Sequence, residues 1–122
     1  MLLEEKNLFK PPCYFFAGNR LLNILHTRLR HRSSNLNADL FRVNLTTDSS
    51  CRCGHILEDS IHFFLECPLY IGPRADLIRK LYFVDTIDIE VLLFGSEIFN
   101  EEDNLKNFSS VQQFIKQSKS FT

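Results

Sequence analysis

Apolar side chains recur along much of this chain with the three-to-four-residue period of amphipathic helices. Leu21, Leu22, Leu25 and Leu29 fall within an arc of roughly 100° when each residue advances by about 100°. That pattern predicts a helix over residues 19–32, with Arg20, Thr27, Arg30 and His31 on the far side. Ser33, Ser34 and Asn35 supply a turn and a cap, and Ala38, Leu40, Phe41 and Val43 mark a second short helix over residues 37–44. Leu57, Ile61, Phe64 and Leu65 repeat the period briefly, preceded by Glu58 and Asp59 at the end where acids favour a helix N-terminus. Residues 71–82 read as a further helix through Ala75, Leu77, Ile78 and Leu81, with Pro73 at an allowed early position. Residues 87–94, ended by Gly95, are apolar enough for strand or helix and are assigned to helix by their helical neighbours. Asn100 followed by Asp103 makes an N-terminal capping pattern, and Leu105, Phe108, Val111 and Ile115 define the face of the last helix.

The fold class is therefore mostly α, a small domain of about five short helices. Residues 1–17 are expected as an N-terminal tether: Lys10-Pro11-Pro12 disfavours helix, and residues 13–17 form a short strand or buried linker. Residues 18–122 form the domain, and the tail from Lys116 is expected to fray. A chain of 122 residues suits one such unit better than two.

Composition changes this picture little, except for twelve Phe and no Trp, a skew that the pattern leaves unexplained. Charge changes it more. The net charge of −1 conceals a segregation: residues 18–53 hold six arginines (Arg20, Arg28, Arg30, Arg32, Arg42, Arg52) against Asp39 and Asp48, and residues 85–103 hold seven acids with no Lys or Arg. Guanidinium groups grip phosphate bidentately in a way that ammonium groups do not, although a solvated helix face is the plainer reading of any charge run. No apolar run reaches the ~18 residues that a membrane helix needs. Glu4 and Glu5 stand where a secretory signal carries positive charge, so an intracellular, nuclear or cytoplasmic protein that is not secreted is expected.

The densest chemistry lies at Cys51-Arg-Cys53-Gly-His and at Ile61-His62-Phe-Phe-Leu-Glu-Cys67-Pro68, a C-x-C-x8-H-x4-C array. Three sulfurs and one imidazole match the closed tetrahedral shell of a structural zinc ion. Gly54 allows the positive φ that a knuckle around a metal requires. In a straight helix of about 100° per residue His62 and Cys67 point roughly 140° apart. Pro68 relieves that divergence, because the residue before a proline is driven out of the α region. Two other readings stand beside zinc: buried free cysteines in a helical core, and a disulfide, for which the alternate cysteines are poor partners of each other. His55 is an alternative ligand to His62, expected to be exposed. Cys13 reads as an ordinary thiol and His26 as a hydrogen-bonded structural histidine.

Several catalytic signatures are missing. The sequence holds no phosphate-cradling glycine loop, no G-x-S-x-G elbow and no H-E-x-x-H helix, and a zinc ion with four protein ligands leaves no place for reactive water. Catalysis by this chain alone is not expected.

The segments PPCYFFAGNRLLNILHTRLRHRSSNLNADLFRVNL, CRCGH and EDSIHFFLECPLY, with LLFGSE and VQQFIKQSKSF near the end, cover most of residues 11–121. They resemble the region downstream of the polymerase core in reverse transcriptases of non-long-terminal-repeat retrotransposons, which carries a Cys-Cys-His-Cys element. The resemblance implies one structural Zn2+ held by Cys51, Cys53, His62 and Cys67. It also implies a surface of Arg20, Arg28, Arg30, Arg32 and Arg42 that binds RNA or DNA non-specifically through phosphates. The palm-domain aspartates and Tyr-x-Asp-Asp box of that family, its endonuclease and its ribonuclease H are not in this sequence. The implied function is thus that of a nucleic-acid-binding appendage present as a fragment without its polymerase core. The alternatives are a protein-interaction module that docks onto such a core and a decayed transposon remnant with no independent function.

Overall fold

A computed structural model of the chain describes residues 13–16, 18–81 and 88–118. The described residues are mostly helical and contain no strand. Five α-helices follow in order: α1 (Arg20–Arg30), α2 (Asn37–Arg42), α3 (Ile71–Lys80), α4 (Ile89–Phe94) and α5 (Glu101–Ser118). Shorter turns stand at Cys13–Phe16 and Pro68–Tyr70 (both 3-10) and at His62–Glu66 (π). Residues 1–12 of the expected tether, residues 85–87 and residues 119–122 of the tail lie outside the described set, as does the side chain of Cys13.

Local signals explain most helix ends. Asn19 caps α1, its Oδ1 accepting the Leu22 N–H at 3.0 Å. The far end closes when Arg32 turns left-handed (φ 58°) and Ser33 N–H reaches back to Arg28 O at 2.8 Å. The Asn100 pattern also works as read: its Oδ1 accepts the Asp103 N–H at 2.8 Å. Asp88 does the same for α4 through Glu90 N–H at 3.0 Å. Gly95 then ends that helix at φ 78°, where a Cβ would lie 2.8 Å from both Asn104 Oδ1 and Tyr14 Oη.

Helix α5 is the spine of the fold, packed on α1, α3, α4 and the Cys13–Phe16 turn. An aromatic cluster occupies the centre. Phe63 stacks edge-on against Phe64, Tyr70 and Phe114, with centroids 4.9–5.2 Å apart, and Phe64 meets Phe114 at 5.3 Å. Phe63, Phe64 and Phe114 are essentially inaccessible to solvent, and each fully buried ring contributes about 1.5–3 kcal/mol. The phenylalanine-rich composition thus joins the segment after the cysteine knuckle to the spine. Within the stretch expected as a tether, Tyr14 and Phe15 pack on Phe108 at 5.0 and 5.6 Å.

The buried faces differ from the expected ones in an instructive way. On α1 Leu25 and Leu29 are buried as read, but Leu21 is exposed, and His26 and Arg30 complete the inward stripe. Helix α2 buries none of its own residues; Leu36, just before it, enters the core instead. Around residue 61 the inward side chains are Phe63 and Phe64, whereas Leu57 and Ile61 face solvent. Leu57 lies in irregular chain before the helical turns begin, and from His62 the π turn changes the rotation per residue assumed for a straight α-helix.

Candidate metal centre

The knuckle begins with a tight turn. Gly54 N–H donates to Cys51 O at 2.9 Å and Cys51 N–H to His55 O at 2.8 Å, with Gly54 at φ 102° as a left-handed hinge. This turn sets the thiols of Cys51 and Cys53 on one side. The next segment supplies the other two groups. Asp59 caps it, its Oδ1 accepting the His62 N–H at 2.8 Å, and the chain then winds into the π turn closed by Cys67 N–H on His62 O at 2.8 Å. That closure spans five residues and brings Cys67 back over His62, removing the divergence of a straight helix. Cys67 itself is extended (φ −65°, ψ 124°), as the following Pro68 requires.

The four ligand atoms, one each from Cys51, Cys53, His62 and Cys67, all lie within 4.8 Å of one another, close enough to hold one metal ion. Cys51 Sγ and Cys67 Sγ are 3.7 Å apart, and Cys53 Sγ is 3.3 Å from His62 Nε2. Tetrahedral Zn–S and Zn–N bonds place two sulfurs about 3.8 Å apart and a sulfur and a nitrogen about 3.5 Å apart. The observed edges fit. A disulfide does not fit the 3.7 Å separation, since bonded sulfurs stand about 2 Å apart. Cys51, His62 and Cys67 are buried and Cys53 is partly exposed.

Electrostatics point the same way. Burial pushes the Cys51 thiol up to about 12, with the Cys53 and Cys67 side chains adding to the rise. The backbone N–H of His55 holds the Cys53 thiol below its ordinary value. A divalent cation coordinated by thiolates would favour their ionised form.

Two residues support the knot in ways that the sequence does not foretell: nothing there singles out Arg74, and Glu58 reads only as an acid at a helix N-terminus. Arg74, from α3, donates to Phe64 O and Cys67 O at 2.8 Å and to Phe63 O at 3.3 Å, satisfying carbonyls at the end of the π turn. Glu58 ties the knuckle to α2, its carboxylate accepting Asn37 N–H at 2.8 Å and its carbonyl Ala38 N–H at 3.0 Å. Neither contact has a signature at short range in the sequence, because each joins segments that meet only in the folded chain. His55 is exposed as expected, and its ring stacks on that of His62 at 4.2 Å and 15°.

The expected arginine surface divides. Arg20, Arg28, Arg32 and Arg42 are exposed. Arg30 is not: it is 8% exposed, its Nε donates to Leu93 O, and its guanidinium lies 3.9 Å from the Phe15 ring centre. The expectation that Arg30 faces a polyanion is therefore corrected, for its charge is spent on the C-terminal carbonyls of α4. His26 lies beside it, with Nε2 on Leu92 O at 2.8 Å and Nδ1 3.3 Å from Gln112 Nε2, so it is the structural histidine of the sequence reading. Tyr14 Oη donates to Phe94 O at 3.3 Å and completes the set. No protein-family model, curated protein or solved structure matches the chain.

Proposed function

We propose that this chain is a zinc-stapled, nucleic-acid-binding module, the C-terminal appendage of a non-long-terminal-repeat retrotransposon reverse transcriptase. The observation that carries the reading is the cluster of Cys51, Cys53, His62 and Cys67, with atoms spaced for a single tetrahedral ion, in a chain whose basic segment has exposed arginines. Three sulfurs and one nitrogen select zinc among the common ions. Bound there, zinc supplies a cross-link between the knuckle and the π turn, and four protein ligands leave no position for catalytic water.

Binding follows from charge. No acid occurs between Glu5 and Asp39, a span that includes Arg20, Arg28 and Arg32. Arg20 and Arg28 border one shallow groove on α1 together with Phe15, Ile24 and Thr27. Their separation of eight residues is about 12 Å along the helix, a span that covers more than one phosphate of a strand. Arg42 donates to the Arg32 carbonyl at 2.6 Å, which brings a further guanidinium to the end of α1. These groups neutralise backbone phosphates and read no bases.

The test is anisotropy of labelled RNA and DNA against salt. The affinity of the wild type is expected to fall steeply with ionic strength. The triple variant Arg28→Ala/Arg32→Ala/Arg42→Ala should bind more weakly and flatten the log–log salt slope by about 2–3, at about 0.9 per phosphate contact, while keeping its metal. Unchanged affinity in the variant overturns the reading.

A second reading is favoured by the apolar side chains Phe41, Val43, Leu45, Ile56, Leu57 and Ile61, all exposed on α2 and the loops around the knuckle. In that reading the module docks onto a polymerase core, and its association is insensitive to salt.

A further inference from the structure

With Nε2 of His62 turned toward Cys53, the opposite nitrogen of the ring is fixed in place. His62 is 2% exposed, and its Nδ1 makes no hydrogen bond of ordinary length. A carboxylate faces it all the same: Glu66 Oε1 stands 3.5 Å away, four residues on across the π turn. The Glu66 side chain is half exposed (53%), so rotation about its own bonds closes that gap without moving the backbone. On the flat side of the ring, stacked His55 limits how far His62 can tilt.

We propose that Glu66 is the outer carboxylate of the metal centre: it accepts the Nδ1 proton of His62 and fixes the tautomer that leaves the Nε2 lone pair for the ion. The inference rests on the zinc centre proposed above. Histidines that ligate metals hold their second N–H on a carboxylate or carbonyl, which orients the ring and raises its basicity as a ligand. Ligation draws electron density from the imidazole and strengthens Nδ1–H as a donor, so the 3.5 Å approach shortens when the ion binds. Glu66 also feels Arg74, but that guanidinium is engaged by the carbonyls of Phe63, Phe64 and Cys67.

The same atoms suggest a rival arrangement. His55, His62 and Glu66 place one ligand atom each within 4.8 Å of one another, close enough to hold an ion of their own. A ring bound through Nε2, however, keeps its remaining proton on Nδ1 and has no second lone pair to offer. The outer position therefore takes a proton and not a second ion.

Glu66 is a positioning residue, and its exposure lets it be replaced without disturbing the core. Zn2+ affinity, measured by competition with a chromophoric chelator, should fall at least tenfold in Glu66→Ala and less in Glu66→Gln, which keeps a neutral acceptor; outer partners of ligating histidines typically contribute about 10–100-fold. Ring-nitrogen NMR of the zinc-loaded wild type should show the His62 proton on Nδ1 in slow exchange with water. In loaded Glu66→Ala that exchange should quicken, a change that a purely structural role would not produce. An affinity of Glu66→Ala within twofold of the wild type overturns the inference, as does a proton found on Nε2 or a second bound ion that Glu66→Ala abolishes. If the wild type binds no zinc, the centre itself fails and this inference with it, an outcome distinct from an intact centre indifferent to Glu66.

Discussion

At the C-terminus of α4, His26, Arg30 and Tyr14 approach the carbonyls of Leu92, Leu93 and Phe94, and each is a donor matched to a backbone acceptor of the chain itself. At the knuckle the buried groups have mainly one another: Cys51 faces Cys67, and Cys53 faces His62. Both regions take polar side chains out of water, which is costly unless each finds a partner. The first is complete within the polypeptide, and in exchange a helix of six residues gains caps for its last carbonyls. The second gathers four ligand atoms that all lie within 4.8 Å of one another, close enough to hold one metal ion.

This contrast can be broken experimentally, most forcefully at the knuckle. Chelation, or Cys67→Ser, should abolish much of the helical circular dichroism. Cys51 and Cys67 belong to the same buried cluster as Phe63, Phe64 and Phe114, so loss of the ion opens the main core. Retention of full helicity after complete metal removal would place the two regions on an equal footing. Next comes the junction. Arg30→Ala orphans the Leu93 carbonyl and removes a cation from the Phe15 ring, at a cost of about 3 kcal/mol in stability, with zinc content unchanged. A cost under 1 kcal/mol would mean that the carbonyl finds water instead.

The smallest effect is that of acid. Burial foremost, and then the neighbouring Arg30 charge, lower His26 from 6.5 to about 4, against a raising influence from the Leu92 carbonyl. The neutral ring is thus favoured in the folded state and the charged ring in the unfolded one. The contribution of His26 is fully present above pH 6.5 and is lost as pH falls toward about 4. Between pH 7 and pH 5 this amounts to about 2 kcal/mol. Denaturant midpoints across that range should slope less in His26→Gln than in the wild type, and equal slopes would remove His26 from the account. Acid also protonates the thiolates, so it is the difference between the two proteins that isolates the histidine.

The same two regions show what a sequence carries. The ligand set was legible because C-x-C-x8-H-x4-C is a statement about residue types at short range, and Gly54 and Pro68 mark the two backbone departures that the knot needs. The π turn was not legible: the apolar period turns Phe64 inward and not Phe63, whereas both are buried, and no single residue announces the change in rotation per residue. On α1 the inward stripe runs Leu22, Leu25, His26, Leu29, Arg30, a regular helical spacing. His26 reads correctly as a structural histidine, but Arg30 is misread, because an arginine counts as outward until the carbonyls of α4, over sixty residues away, are brought to meet it. Arg74 and Glu66 belong to the same kind: their roles depend on what the fold places opposite them.

The proposed function requires one zinc ion in the knuckle. Native mass spectrometry of the full chain, purified without chelators, tests it most directly, with Cys51→Ser measured alongside. One zinc is expected on each folded wild-type chain and none on the variant. A folded wild-type chain at the bare polypeptide mass, or a variant that keeps the ion, would contradict it.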